Sequence, residues 1–202
     1  MTTIVEAHNS KLVWLDLETT GLIPSKGVIL EIGVVITDLE LNEIDRRAWI
    51  FPHDRSAVLG LMNDYVLNMH MGNGLLKEVW RTPNTNESQS EFSARLAYDR
   101  VKTIKSIKQW IYLSSGKTTF PKDCFLAGSS IHFDRAWLTV HAPEILETVS
   151  YRMGDVSSFK VFFPGLLTQP TPGTVTTAHR ALTDLNCSID QLSQMRAKLG
   201  MA

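Results

Sequence analysis

The residues best placed to do chemistry stand in KLVWLDLETTGL, Lys11–Leu22, where Asp16 and Glu18 interrupt an apolar run at positions i and i+2. In a β-strand side chains alternate, so Trp14, Asp16 and Glu18 share one face and Val13, Leu15 and Leu17 the other. Two carboxylates side by side in a poorly solvated strand are unfavourable through desolvation and like-charge repulsion. A cation relieves both. Oxygen donors with neither Cys nor His alongside suit hard divalent ions, Mg²⁺ or Mn²⁺, better than zinc. The Thr19-Thr20-Gly21 turn leaves backbone groups near the acids, where a substrate could approach. The same acids also suit a strand running into a solvated turn, and the dipeptide alone does not decide between the two.

Three more residues join the candidates. Asp134 follows a short apolar run, in GSSIHFDRAWL, at the start of a helix. Taken singly it reads as a first-turn acid favoured by the helix dipole, and Asp184 as an exposed helix acid. His179 and Asp184 are five residues apart, about 140° around an ideal helix. They share a direction only if His179 lies on the loop entering the helix, which sets a mobile base beside a fixed acid.

DLETTGL, GSSIHFD and HRALTD, in that order, resemble the three motifs of the DEDDh exonuclease superfamily, and the resemblance spans roughly residues 11–199. It implies a ribonuclease H-like fold with Asp16, Glu18, Asp134 and Asp184 as metal-holding acids and His179 as catalytic base. Within the superfamily, LMNDYVLNMHMGNGL, GSSIHFDRAWL and YRMGDVSSFK are similar to segments of the oligoribonuclease family. That resemblance implies a 3′-to-5′ exoribonuclease hydrolysing short single-stranded oligoribonucleotides, down to dinucleotides, to nucleoside 5′-monophosphates. Two divalent ions, Mg or Mn, are implied, one on Asp16, Glu18 and Asp184, the other on Asp16 and Asp134. Such a pair polarises the phosphodiester, activates water and stabilises the leaving 3′-oxygen, while His179 takes the water's proton.

The resemblance also implies substrate contacts. Leu22 would wedge against a base, and Tyr65 would stack on one, a contact worth roughly 1–3 kcal/mol. His70 would be a further contact. Arg152, with Ser130 and Ser157, would cap a terminal 5′-phosphate through charge-assisted hydrogen bonds, so that the enzyme measures length. Tyr151 belongs with these contacts and in a segment that contributes to the subunit contact of the family's homodimers. Read without the resemblance, Leu22 packs in the core, Tyr65 is a helix-surface aromatic and His70 is structural. The sequence departs from the family pattern with Tyr65 for Trp, Ser129 for Asn, and an expanded region from Trp80 to Arg100. The alternatives are a DEDDh exonuclease acting on longer DNA or RNA 3′ ends, in proofreading or RNA trimming, and a non-catalytic nucleic-acid-binding module. An intact five-residue set argues against the latter.

The positioning elements follow from patterning. Gly27 opens VILEIGVVITDLE, a β-branched run suited to a strand buried on both faces. Glu31 within it is read as solvent-facing or hydrogen-bonded near the strand start. Residues 39–43 form a turn and Arg47–Phe51 a third strand, antiparallel through the short connection. From Ser56, Val58, Leu59, Met62, Val66 and Met69 recur at helical spacing until Gly72-Asn73-Gly74. Pro83–Ser90 is a surface loop, and a helix runs over about Glu91–Leu113 with Leu96, Val101, Ile104, Ile107, Trp110 and Ile111 as its stripe. Cys124–Gly128 is a buried parallel strand, Tyr151–Ser157 a strand-to-helix passage, and Pro164–Gly173 a loop. A final helix over about Ala178–Leu199 turns Leu182, Leu185, Ile189, Leu192, Met195 and Leu199 to the sheet. The expectation is a mixed α/β sheet of about five strands with helices on both faces.

At 202 residues the chain suits one domain, 1–202, with its core at about 11–199. Hydrophobic residues at 44% and charged residues at 20% exclude a disordered chain. A net charge of -1 provides no broad basic surface for a long polyanion, which favours a short or metal-held substrate. Two cysteines, Cys124 and Cys187, read as buried thiols. With no leader-like pattern in MTTIVEAHNS and no membrane-length apolar run, a cytoplasmic protein is expected.

Overall fold

The computed structural model describes residues 10–116, 122–166 and 179–201. Strand β1 (Lys11–Thr19) pairs antiparallel with β2 (Ile29–Thr37), and β2 with β3 (Glu43–Ile50). The chain continues through β4 (His53–Asp54), helices α1 (Arg55–Leu59), α2 (Asp64–Gly72) and α3 (Leu75–Val79), then β5 (Trp80–Arg81). The long α4 (Gln89–Ser114) leads to β6 (Cys124–Gly128), α5 (Ile131–His141) and α6 (Pro143–Leu146). After these come β7 (Met153–Asp155), α7 (Val156–Phe162) and α8 (Ala181–Lys198). The five-stranded sheet runs β3-β2-β1-β6-β7, with β1, β6 and β7 parallel. It is mixed and carries helices on both faces, as the alternation of patterns requires.

Alternation along β1 divides the core. Val13, Leu15 and Leu17 pack with Ile104, Ile107 and Ile111 of α4 and Trp137 of α5. Trp14 packs on the opposite side with Val35, Ala127 and the α8 residues Leu185 and Met195. Asp16 and Glu18 therefore point toward α8. Every residue of β2 is buried, as its β-branched run demands. Edge strand β3 is blunted by Glu43, Asp45, Arg46 and Arg47, charges that discourage pairing with another chain.

Several expectations change. Of the two readings of Glu31 only the hydrogen-bonded one holds, since the residue is 2% exposed and accepts from Arg180 and from Ala181 N. The helical pattern from Ser56 splits into α1 and α2, because Asn63 caps a new helix by accepting from Val66 N at 2.9 Å. In α4, Val101 faces solvent, since a residue five after Leu96 lies about 140° away. Leu199 lies beyond α8 and is exposed. Cys124 is buried but Cys187 only partly so, and both are free thiols. The small parallel β4–β5 sheet was not expected. Residues 167–173 of the expected 164–173 loop, and Ala178, lie outside the described residues. Among the described residues, no helix is long and apolar enough to cross a membrane.

Candidate active site

Asp16 lies opposite Gly33 in the β1–β2 ladder, and Glu18 lies opposite Glu31. A Cβ on Gly33 would stand 2.7 Å from the Ala181 Cβ and 2.9 Å from its carbonyl carbon. The missing side chain lets the start of α8 close onto the sheet beside the two acids. His179 precedes α8 and Asp184 sits in its first turn, as their five-residue spacing requires. Asp134 arrives from the first turn of α5. The β1–β6 ladder reaches Trp14 and Ala127, and beyond it Leu17 N donates to Asp134 Oδ1 at 3.0 Å. The bond fixes the acid and satisfies a buried donor.

Asp16, Glu18, Asp134, Asp184 and His179 line one cleft of about 240 Å³, together with Leu17, Ser129, Ser130 and Phe133. One oxygen of Glu18, one ring nitrogen of His179 and one oxygen of Asp184 lie within 4.8 Å of one another. Burial, reinforced by the Asp134, Glu18 and Asp184 charges, pushes the Asp16 carboxyl well above the usual range. Glu18 is pushed up to about 8, first by burial and then by Asp184 and Glu31. Burial raises Asp134 to about 7 against its hydrogen bond from Leu17. It also raises Asp184, where His179 acts in the opposite sense. Burial is the first cause at all four acids, and the neighbouring carboxylates add to it at Asp16 and Glu18, so a bound cation would relieve the cluster. With oxygen donors and no thiolate, the set fits a hard divalent cation.

The expected substrate contacts are placed unevenly. Leu22 and Tyr65 project into solvent, 81% and 72% exposed, so Leu22 is not a core residue. Ser130 and Ser157 meet, their hydroxyls 3.1 Å apart, and Asp155 Oδ1 accepts from both main-chain N–H groups at 2.9 and 2.8 Å. Arg152 is exposed, its guanidinium carbon 5.5 Å from the Tyr151 ring centroid. His70 has the surroundings of its structural reading. It is fully buried, and its Nε2 donates to the Thr19 carbonyl at the end of β1 at 3.1 Å and lies 3.9 Å from Glu18 Oε2. Burial lowers its pKa.

No family model matches the sequence. A probable oligoribonuclease of Dictyostelium discoideum is 34% identical over 197 residues, covering 96% of this chain and 92% of the relative. The chain belongs to the oligoribonuclease family. It is therefore a nuclease, a hydrolase of phosphodiester bonds. Oligoribonucleases of Haemophilus ducreyi and Corynebacterium diphtheriae are 30% and 34% identical, covering 93% and 97% of this chain. Among solved structures, the zinc-bound E. coli exonuclease I–ssDNA complex matches 94% of the chain at TM-score 0.59 and 14% identity. Exonuclease I of Methylocaldum szegediense matches 94% at TM-score 0.57 and 16% identity. The chain spans 41% and 40% of those chains, and the likeness shows a shared exonuclease fold.

Sequence reading missed the residues that hold this oligoribonuclease-family cleft from outside. Asn73 Nδ2 donates to the His179 carbonyl at 2.6 Å. Arg180 bridges Glu31 and Glu78. Gly33 and the acid Glu31 inside an otherwise β-branched run were the available signals. Asn73 offered none beyond its place in a turn.

Proposed function

We propose that the chain is a 3′-to-5′ exoribonuclease that hydrolyses short oligoribonucleotides, down to dinucleotides, to nucleoside 5′-monophosphates. The observation that carries this reading is the convergence of four acids and His179 on one small cleft. Asp16, Glu18, Asp134 and Asp184 hold two divalent ions, Mg or Mn. Such ions supply charge neutralisation to the attacked phosphate and the leaving 3′-oxygen of an in-line displacement. His179, at the mouth of α8, accepts the proton of the attacking water. Leu22 and Tyr65, both free of core packing, hold the bases. Ser130 and Ser157, already tied by Asp155, receive the terminal phosphate with Arg152. A net charge of -1 supports a short substrate. Two free thiols suit the cytoplasm, and the exposed segment around Tyr151 suits a homodimer.

The test is a time course on 5′-labelled RNAs of two, five and twenty nucleotides with Mn²⁺ or Mg²⁺. Rapid loss of the dimer with a much slower twenty-mer is expected. Equal or faster trimming of the twenty-mer removes the phosphate cap and favours an exonuclease acting on longer ends. His179→Ala is expected to lower turnover by about 10²–10⁴-fold while keeping stabilisation by Mn²⁺, and Asp16→Asn to lose both. Wild-type turnover in either variant at saturating metal refutes its assigned role.

A further inference from the structure

We propose that Asn73 and Glu78 are positioning residues for His179, Asn73 through the His179 main-chain carbonyl and Glu78 through the Arg180 guanidinium. The inference rests on His179 being the catalytic base. Neither Asn73 nor Glu78 lines the cleft, so each acts through the backbone that carries the imidazole.

His179 adopts φ +43. A non-glycine residue holds left-handed backbone at a cost, and keeps it where the surroundings over-determine it. Here three consecutive residues are tied to two other parts of the fold, β2 and the α2–α3 unit. Asn73, between α2 and α3, donates from Nδ2 to the His179 carbonyl at 2.6 Å. Arg180 then directs one fork at two carboxylates. Its Nε and Nη2 donate to Glu31 of β2 at 3.1 and 3.0 Å, and its Nη1 donates to Glu78 of α3 at 2.8 Å. Finally, Ala181 N donates to Glu31 Oε2 at 3.1 Å.

Arg180 supplies no side-chain cap to α8, so Glu31 does that work from the neighbouring strand. Glu31 is buried opposite Glu18, where an unpaired carboxylate would repel the acid cluster. Arg180 neutralises it and is itself held from the solvent side by Glu78. The 179–181 backbone is thereby pinned to β2 on one side and to the α2–α3 unit on the other. Releasing the second anchor lets the peptide at His179 relax toward ordinary φ, which swings the imidazole away from Glu18 and Asp184.

Two variants separate this role from a general structural one. Asn73→Ser keeps an oxygen for Leu75 N, which Asn73 Oδ1 now serves at 3.0 Å, but is too short to reach the His179 carbonyl. Glu78→Gln keeps the shape of a half-exposed side chain and removes its charge. Each is made alone and with His179→Ala, and kcat, KM on an RNA dinucleotide and Mn²⁺-dependent Tm are measured. Asn73→Ser is expected to lower kcat about 10-fold, as a small misplacement of a catalytic group does, with KM and the Mn²⁺-dependent shift unchanged. Glu78→Gln moves kcat the same way by a smaller factor. In the His179→Ala background neither variant lowers kcat further, because residues that act through one group are non-additive. Undiminished kcat in both single variants, the same fold-loss in the His179→Ala background, or a loss confined to KM overturns the proposal. If Asn73→Ser folds poorly, Glu78→Gln decides alone. Wild-type kcat in His179→Ala removes the base assignment itself, so that failure is distinguishable from loss of positioning.

Discussion

At the level of single residues, the acid cluster couples protonation, metal and stability. Asp16, Glu18, Asp134 and Asp184 all have raised pKa values with burial as the largest cause. The folded chain thus binds protons more tightly here than the unfolded chain, whose carboxyls titrate near 4. The cluster's own contribution to metal-free stability is therefore fully present below that range and is lost as pH rises toward about 8, the value reached by Glu18. Each unit of upward shift removes about 1.4 kcal/mol at high pH. Metal-free protein is expected to melt several degrees lower at pH 8.5 than at pH 5.5. Saturating Mn²⁺ should raise Tm more at the higher pH, since the ligands must lose protons to bind it. Scanning calorimetry with chelator and with Mn²⁺ checks both, and a metal-free Tm independent of pH would remove the cluster's electrostatic strain. Glu18→Gln should flatten the metal-free profile while abolishing most of the Mn²⁺ shift.

At the level of elements, the sequence was legible where one local pattern determined the outcome. The alternation around Asp16 and Glu18, the buried run of β2 and the helical spacing of α8 each reflect burial of nearby side chains. Helix geometry made a place ahead of α8 the condition for His179 to meet Asp184, although the helical pattern was read from about Ala178 and the helix begins at Ala181. What stayed illegible depends on contacts distant in sequence. The Asn73–His179 bond spans 106 positions, and no periodicity announces it. The α1–α2 break turns on a single side-chain cap at Asn63. Gly33 shows why backbone approach matters. Gly33→Ala would push a methyl against Ala181, and either β2 or the start of α8 must move. The expected result is a loss of about 1–3 kcal/mol from overpacking, with kcat falling further than the same stability loss causes elsewhere. Ser88→Ala supplies that comparison. It breaks the capping box of α4 formed by Ser88 and Glu91, costs about 1 kcal/mol, and leaves kcat unchanged because α4 meets the sheet on the face opposite the acids. Equal kcat in the two variants would show that α8 does not depend on the Gly33 approach.

For the whole molecule, the placement of exposed apolar side chains bears on assembly. Among the described residues β7 is one edge of the sheet, and Tyr151 before it, Met153 within it and Val161 and Phe162 of the following helix are exposed to solvent. Singly, exposed apolar residues are ordinary; grouped along a short edge strand and the helix after it, they mark a surface that gains from being covered. The opposite edge, β3, carries charges that discourage pairing with another chain, so a self-association of this chain is expected on the β7 side. A second copy meeting this surface about a two-fold axis would bring its own Tyr151 segment against the first, near the Ser130–Ser157 pair proposed to receive the terminal phosphate. The chain is expected to sediment as a dimer at micromolar concentration. Phe162→Asp, on α7 and away from the acids, should shift it to monomer and weaken dinucleotide hydrolysis through KM, while the Mn²⁺-dependent rise in Tm persists. A wild-type chain that sediments as a monomer would remove the dimer. A dimer undisturbed by Phe162→Asp would move the contact to another face, and a monomeric Phe162→Asp variant with unchanged KM would show that each cleft is complete within one chain.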